Sequence, residues 1–268
     1  MDRLSPKFLD RLRQASPTSF KLRIARAIAS PTVGDVLNRA FAHRIPHYRF
    51  RIPTHGPGVS RETAAELFFR LYERAEIDLV RRFLPSELDV IELGSSLGVN
   101  TCHIAGRLHK HRRVIALEAD PRLAEHTAKT LTMNALEKKV TVVSAALDYE
   151  GRAYASLDLR ESSLNATTLT HGGSRTSQVN VPTVTLSELI QRYGIREYCL
   201  VADIEGAEIP LFLKDVAALR DCKLILIELD GGQYGERVYG PDDVQRLIEA
   251  AGFEQIYRHG NCGAFRRH

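Results

Sequence analysis

The stretch Asp89-Val-Ile-Glu-Leu-Gly-Ser-Ser-Leu-Gly-Val-Asn100 constrains this chain more than any other. Asp89 to Leu93 reads as a buried strand, Gly94 and Gly98 permit a tight turn, and Val99 to His109 resumes helical spacing at Ile104, Ala105 and Leu108. A strand, a glycine turn and a helix in that order open a nucleotide site, because bare backbone at the carboxyl end of a strand lets a ligand approach closely. The glycine spacing is GxxxG, and the GxGxxG run that cradles a dinucleotide pyrophosphate is absent. The turn therefore favours a cofactor without a pyrophosphate, of which S-adenosylmethionine is the obvious one.

One helix further on, Val114-Ile-Ala-Leu-Glu118 forms a second apolar run that ends in an acid. A carboxylate at the tip of the second strand of a βαβ unit can accept hydrogen bonds from both ribose hydroxyls. Either motif alone is commonplace, a turn or a solvated cap; together, in register, they describe a nucleoside site.

The alternation continues down the chain. Before the glycine turn, helical pieces are expected at Pro6 to Arg13, Ser19 to Ala29 and Thr32 to His43, then a short strand at Tyr48 to Ile52. Ser60 should cap one long helix through about Arg82, with Ala64, Leu67, Phe68, Leu71, Ala75, Leu79 and Phe83 on its inner stripe. After Glu118 come a helix from Pro121 to about Leu136, a third buried strand from Val140 to Ala146, and an added strand from Ala153 to Leu159. Residues 160–177 have no apolar period and read as a polar lid or binding loop. Extended structure at Val179 to Val184, a helix at Leu186 to Tyr193 closed by Gly194, and strands at Tyr198 to Ala202 and Lys223 to Leu229 follow. A helix from Asp242 to Ala251 and a closing pair, Phe253 to Tyr257 and Gly263 to Arg266, complete the chain. Strands alternating with helices throughout imply a doubly wound α/β sheet.

At 268 residues this is one large domain, or a domain with an appendage. Residues 1–51 carry eleven Lys/Arg against three Asp/Glu, a balance of +8, so the rest of the chain holds −4 of the net +4. A basic arm of this kind serves an anionic partner or is a solvated helix face, and no nucleic-acid motif accompanies it. We therefore divide the chain into a helical, basic amino-terminal appendage, 1–59, and a main domain, 60–268. No apolar run is long enough to span a membrane, and the start, MDRLSPKFLDRLRQ, lacks the apolar core of a secretory signal. Cys102, Cys199, Cys222 and Cys262 show no CxxC pairing, which fits reduced core thiols and a cytoplasmic location.

Several of these motifs together resemble the FkbM-type family of S-adenosylmethionine-dependent methyltransferases. The resemblance covers roughly Ser60 to Asp230 and rests on Glu92-Leu-Gly-Ser-Ser-Leu-Gly-Val-Asn100, Glu118-Ala-Asp120, Val184-Thr-Leu186, Ile225-Leu-Ile-Glu228 and, most specifically, Asp203-Ile-Glu205-Gly206-Ala-Glu208. The chain departs from the usual pattern at Glu92, Ser95, Ser187, Val201 and Asp230, where the family commonly has Asp, Ala, Asp, Lys and His. The resemblance implies a Rossmann-like class I methyltransferase fold: a seven-stranded, mostly parallel sheet, its last strand antiparallel, with helices on both faces. It further implies methyl transfer to a hydroxyl of a sugar, glycan or related natural product.

On this reading the cofactor residues are Glu92, Gly94, Ser95, Gly98, Asn100, Glu118, Ala119, Ala146 and Asp203. The catalytic candidates are Asp203, Glu205 and His171, since a sugar hydroxyl needs a general base or a metal. Asp203, Glu228 and Asp230 sit at neighbouring strand ends, and oxygen-only ligands of that kind suit Mg²⁺. The acceptor is expected to be a small molecule or glycan rather than nucleic acid, and a homodimer stays open. Two other classes stay open as well: a dinucleotide-dependent oxidoreductase, against which the glycine spacing argues, and a cofactor-binding scaffold without catalysis.

Overall fold

The computed structural model describes residues 29–159 and 177–268. The helices expected over residues 6–13 and most of 19–29, the polar loop as far as residue 176, and His171 within it lie outside the described residues. Helix α1 (Pro31–Ala40) starts as its sequence dictates: the Ser30 hydroxyl accepts from the Val33 N–H at 3.4 Å, and Pro31 occupies the first turn. An antiparallel hairpin follows, β1 (Arg44–His47) with β2 (Phe50–Pro53). Only the second of these strands was legible, because Pro46 marks the first as a break while a hairpin edge tolerates it.

The helix expected from Ser60 to Arg82 is two helices, α2 (Thr63–Phe68) and α3 (Arg74–Phe83). Between them Arg70 and Glu73 adopt left-handed backbone, at φ 58° and 43°, and the Leu71 N–H reaches back to Glu66 O at 2.8 Å. Phe68, assigned to the inner stripe, is consequently 38% exposed, whereas Tyr72 turns inward. No helix among the described residues is long and apolar enough to cross a membrane.

The rest follows strand by strand: β3 (Asp89–Leu93), α4 (Val99–Arg107), β4 (Val114–Glu118), α5 (Pro121–Met133) and β5 (Val140–Ser144). After them come β6 (Ala146–Leu147), β7 (Tyr154–Leu159), β8 (Ser177–Val184), α6 (Leu186–Tyr193), β9 (Tyr198–Ala202) and α7 (Glu208–Lys214). The carboxyl-terminal part holds β10 (Cys222–Glu228), β11 (Gly232–Tyr234), β12 (Arg237–Tyr239), α8 (Pro241–Ala250), β13 (Phe253–His259) and β14 (Cys262–Arg267). A seven-stranded sheet of order β13-β14-β10-β9-β3-β4-β5 forms the centre. Strands β10, β9, β3, β4 and β5 pair in parallel, and the last strand, β14, is antiparallel to both its neighbours.

Alternate residues of each central strand serve opposite faces. Val90, Val114, Ala116, Cys199, Val201, Leu224 and Leu226 join one apolar cluster with Ile45, Phe50 and Ile52 of the hairpin, Leu67 of α2, and Ile77 and Val80 of α3. Ile91, Leu93, Ile115, Leu117, Leu200, Ala202, Ile225 and Ile227 join the other with Leu189 of α6, Ile209 of α7 and Val244 and Ile248 of α8. Burial on both faces is why these strands read as continuous apolar runs, each buried Leu or Ile contributing roughly 1.5–3 kcal/mol. All four cysteines lie buried as free thiols.

The third strand stops at Ser144, not at Ala146. The Ala145 N–H makes a last bond to Glu118 O at 3.0 Å, and Ala146 then pairs with Thr183 in a separate three-stranded sheet, β6-β8-β7. Helix α6 carries the Thr185–Glu188 capping box and ends on left-handed Gly194, at φ 59°. From β3 the chain winds outward through β4 and β5 and returns to β9 on the other side of β3. This reversal of strand order opens a crevice at the carboxyl ends of β3 and β9, where ligands bind in open α/β sheets.

Candidate active site

Gly94 and Gly98 bracket the turn above β3 in left-handed conformations, φ 87° and 75°, that a side chain would strain. A Cβ on Gly94 would stand 2.0 Å from the Asp203 carbonyl oxygen, and one on Gly98 would stand 3.1 Å from Thr127 Cα. Bare backbone there lets the two strand tips and α5 close together, and the Asp203 N–H donates to Leu93 O at 3.0 Å. Ser95 is buried, its hydroxyl 3.2 Å from that of Thr127, which donates in turn to Ser96 O at 2.8 Å.

Glu118 stands at the tip of β4 as its sequence position predicts. Its Oε2 accepts from the Ser96 N–H at 2.7 Å and its Oε1 from the Asp120 N–H at 2.9 Å, which fixes the carboxylate and leaves each oxygen a further lone pair. Burial raises its pKa, opposed by those backbone donors. Ala119 is half-buried beside it. Glu92, one residue before the end of β3, is 1% exposed, and neither carboxylate oxygen has a hydrogen-bond partner. Burial pushes its pKa up to about 8, so it is mostly protonated at neutral pH.

The crevice deepens into a cavity between α3 and the strand ends, lined by Glu73, Glu76, Leu79, Leu93, Gly94, Asn100, Val201, Ala202, Asp203, Leu226, Ile227 and Glu228. Asp203 follows β9 directly. Burial first, then the charges of Glu76, Asp230, Glu205 and Glu118, lift its pKa to about 7. Glu228 at the end of β10 is raised to about 8 by burial and by Asp203, Glu76 and Asp230. Burial and Glu76 raise Asp230 as well. Asp203, Glu228 and Asp230 each present an oxygen, and these atoms lie within 4.8 Å of one another. Glu205 is exposed and left-handed at φ 54°, next to Gly206 at φ 98°.

Glu208 belongs elsewhere. Grouped by its sequence motif with the site acids, it is fully buried and accepts from the Ile204 and Gly206 N–H groups, both at 2.8 Å. Its work is to brace the turn that presents Asp203 and Glu205. The structure brings together Glu92, Gly94, Asn100, Glu118, Asp203, Glu205, Glu228 and Asp230; Ala146 lies in the side sheet. Sequence reasoning missed Tyr72, Glu73 and Glu76. The available signal was Glu76, three residues before Leu79 and so beside the inner face of an amphipathic helix.

Residues 94–254, more than half of the chain, match the family described as Methyltransferase FkbM domain. No curated protein matches the sequence. Among solved structures, the chain is similar to the O-methyltransferase TomG from Streptomyces achromogenes in complex with SAM, at 15% identity and a TM-score of 0.43, covering 89% of each chain. It is similar to the O-methyltransferase from Bacillus cereus in complex with SAH, at 13% identity and a TM-score of 0.41, covering 72% of this chain and 79% of that one. The ribosomal protein L11 methylase from Lactobacillus delbrueckii subsp. bulgaricus is similar at 11% identity and a TM-score of 0.42, over 73% and 78% of the two chains.

Proposed function

Because the chain belongs to the FkbM methyltransferase family, we propose that it transfers the methyl group of S-adenosylmethionine to a hydroxyl of a sugar, glycan or related small molecule. The observation that carries this reading is Asp203: a half-buried carboxylate at the strand switch point, beside the glycine turn, with a pKa of about 7. A general base works best with a pKa near the operating pH, and an alcohol needs such a base at neutral pH.

The bound sulfonium supplies a methyl group already activated for displacement. The protein's share is alignment and proton removal. Glu118 receives the ribose hydroxyls, and the turn from Gly94 to Gly98 admits the nucleoside. Asp203 takes the proton from the acceptor hydroxyl as the new oxygen–carbon bond forms and the sulfur–carbon bond breaks. The apolar cavity walls, Leu79, Leu93, Val201, Leu226 and Ile227, keep water from competing. Glu205, beside Asp230, adds to the negative field that holds Asp203 basic. His171 is retained as an alternative base on sequence grounds alone.

One observation favours a second version of this chemistry. The convergence of Asp203, Glu228 and Asp230 within 4.8 Å offers oxygen ligands to one divalent cation, and Mg²⁺ there would lower the pKa of a ligated hydroxyl. Asp203→Asn tests the proposal: turnover should fall 10²-fold or more with cofactor affinity little changed. A collapse of affinity with the single-turnover rate intact at saturation would make Asp203 a cofactor anchor instead. Activity lost in EDTA and restored by Mg²⁺ would select the metal-assisted version.

A further inference from the structure

Glu73 enters the cavity from outside the sheet, on the turn that splits α2 from α3. Its Oε2 is shut off from solvent and has no hydrogen-bond partner. The same is true of Oδ1 of Asn100, a residue only 8% exposed that lines the same cavity from the first turn of α4. Two unpartnered acceptor oxygens thus belong to residues that line one cavity together with Gly94. Such burial is unfavourable unless a ligand completes it. Burial first, then the neighbouring acids Asp203, Glu76 and Glu92, raises the Glu73 pKa, so a positive group in this space would stabilise its carboxylate. The turn is fastened to the nucleoside side of the crevice, since the Tyr72 hydroxyl lies 3.0 Å from Ser96 Oγ and the Ser96 N–H holds Glu118.

We propose that Glu73 Oε2 and Asn100 Oδ1 form the receptor for the α-ammonium group of the cofactor's methionine portion. The assignment rests on the S-adenosylmethionine reading above and adds to it a residue, Glu73, and a division of labour. An ammonium carries three N–H donors and one charge, which matches a carboxylate and an amide oxygen on residues lining one cavity. A sulfonium has no hydrogen to donate, and an acceptor hydroxyl has one. With the nucleoside end fixed at Glu118 and the charged end at Glu73, the sulfur between them is directed toward Asp203.

Calorimetry on the full chain tests this with two ligands, S-adenosylhomocysteine, which keeps the ammonium, and 5′-methylthioadenosine, which keeps only the nucleoside and thioether. Glu73→Gln should weaken S-adenosylhomocysteine at least tenfold and leave 5′-methylthioadenosine within twofold, with an unchanged melting temperature. Unchanged affinity for S-adenosylhomocysteine in that variant would overturn the assignment, as would an equal loss for both ligands. If the wild-type chain binds neither nucleoside, the S-adenosylmethionine reading itself falls and takes this one with it. Binding of S-adenosylhomocysteine by wild type and variant alike overturns only the role of Glu73.

Discussion

Glu118 has its carboxylate oriented by the protein's own backbone. Two backbone N–H groups already hold its carboxylate, at 2.7 and 2.9 Å, so its rotamer is fixed and no ordering cost falls on binding. A vicinal ribose diol would take the remaining lone pairs as a bidentate, charge-assisted contact. Glu118→Ala should therefore lower cofactor affinity at least tenfold, about 1.4 kcal/mol or more, by calorimetry. An unchanged affinity would remove Glu118 from the ribose site. The position of this residue was legible because the apolar run it ends stands one helix after the glycine turn, in register with it. Glu73 was not, because its role depends on a backbone conformation, φ 43°, that no adjacent Gly, Pro or Asn announces.

Left-handed backbone divides the elements into two kinds. Around the cavity Glu73, Ser96 and Glu205 all have positive φ, in turns that aim side chains or N–H groups at the site. Far from it, Ala135 sits at φ 54° just past the end of α5, where the Leu136 N–H bonds Leu131 O at 3.0 Å, the arrangement in which glycine is preferred. Ala135→Gly should raise stability by up to about 1 kcal/mol in urea denaturation, the relief of αL strain less the added chain entropy. A loss of stability would show that the strain there is negligible. The central strands and capped helices α5, α6 and α8 were legible because burial on both faces, prolines at helix starts and a capping box leave local marks. The break between α2 and α3 left none: Phe68, Phe69, Leu71 and Tyr72 keep helical spacing across it, and only tertiary contacts with Ser96 and the cavity decide which way the chain turns. The hairpin β11–β12 was overlooked for a related reason, since its half-exposed three-residue strands carry little apolar signal.

At the scale of the whole molecule, folding gathers acids that the unfolded chain keeps apart, and this fixes how stability must depend on pH. Glu92 and Glu208 have folded pKa values near 8, raised chiefly by burial from an ordinary carboxylate value near 4.5. Between those limits the native state binds protons that the unfolded state has released, so the difference in bound protons, unfolded minus native, is negative and stability falls as pH rises. Whatever these groups contribute is fully present below about pH 4.5 and lost as pH climbs through about 8. Each proton held only by the native state sets a slope of about 1.4 kcal/mol per pH unit. The ligand-free protein should therefore weaken between about pH 6.5 and pH 8 in urea melts, above the range in which His47, His103 and His126, whose pKa values burial lowers, act in the opposite sense. Glu92 is the residue to isolate, since both its oxygens are buried and unpartnered. Glu92→Gln cannot ionise, so it should remove one proton's share of that slope and be more stable than wild type at pH 8.5 than at pH 5.5. Equal slopes for the two proteins would mean that Glu92 folds already ionised, with a counter-charge or water meeting it, and would sink the claim that burial alone governs it.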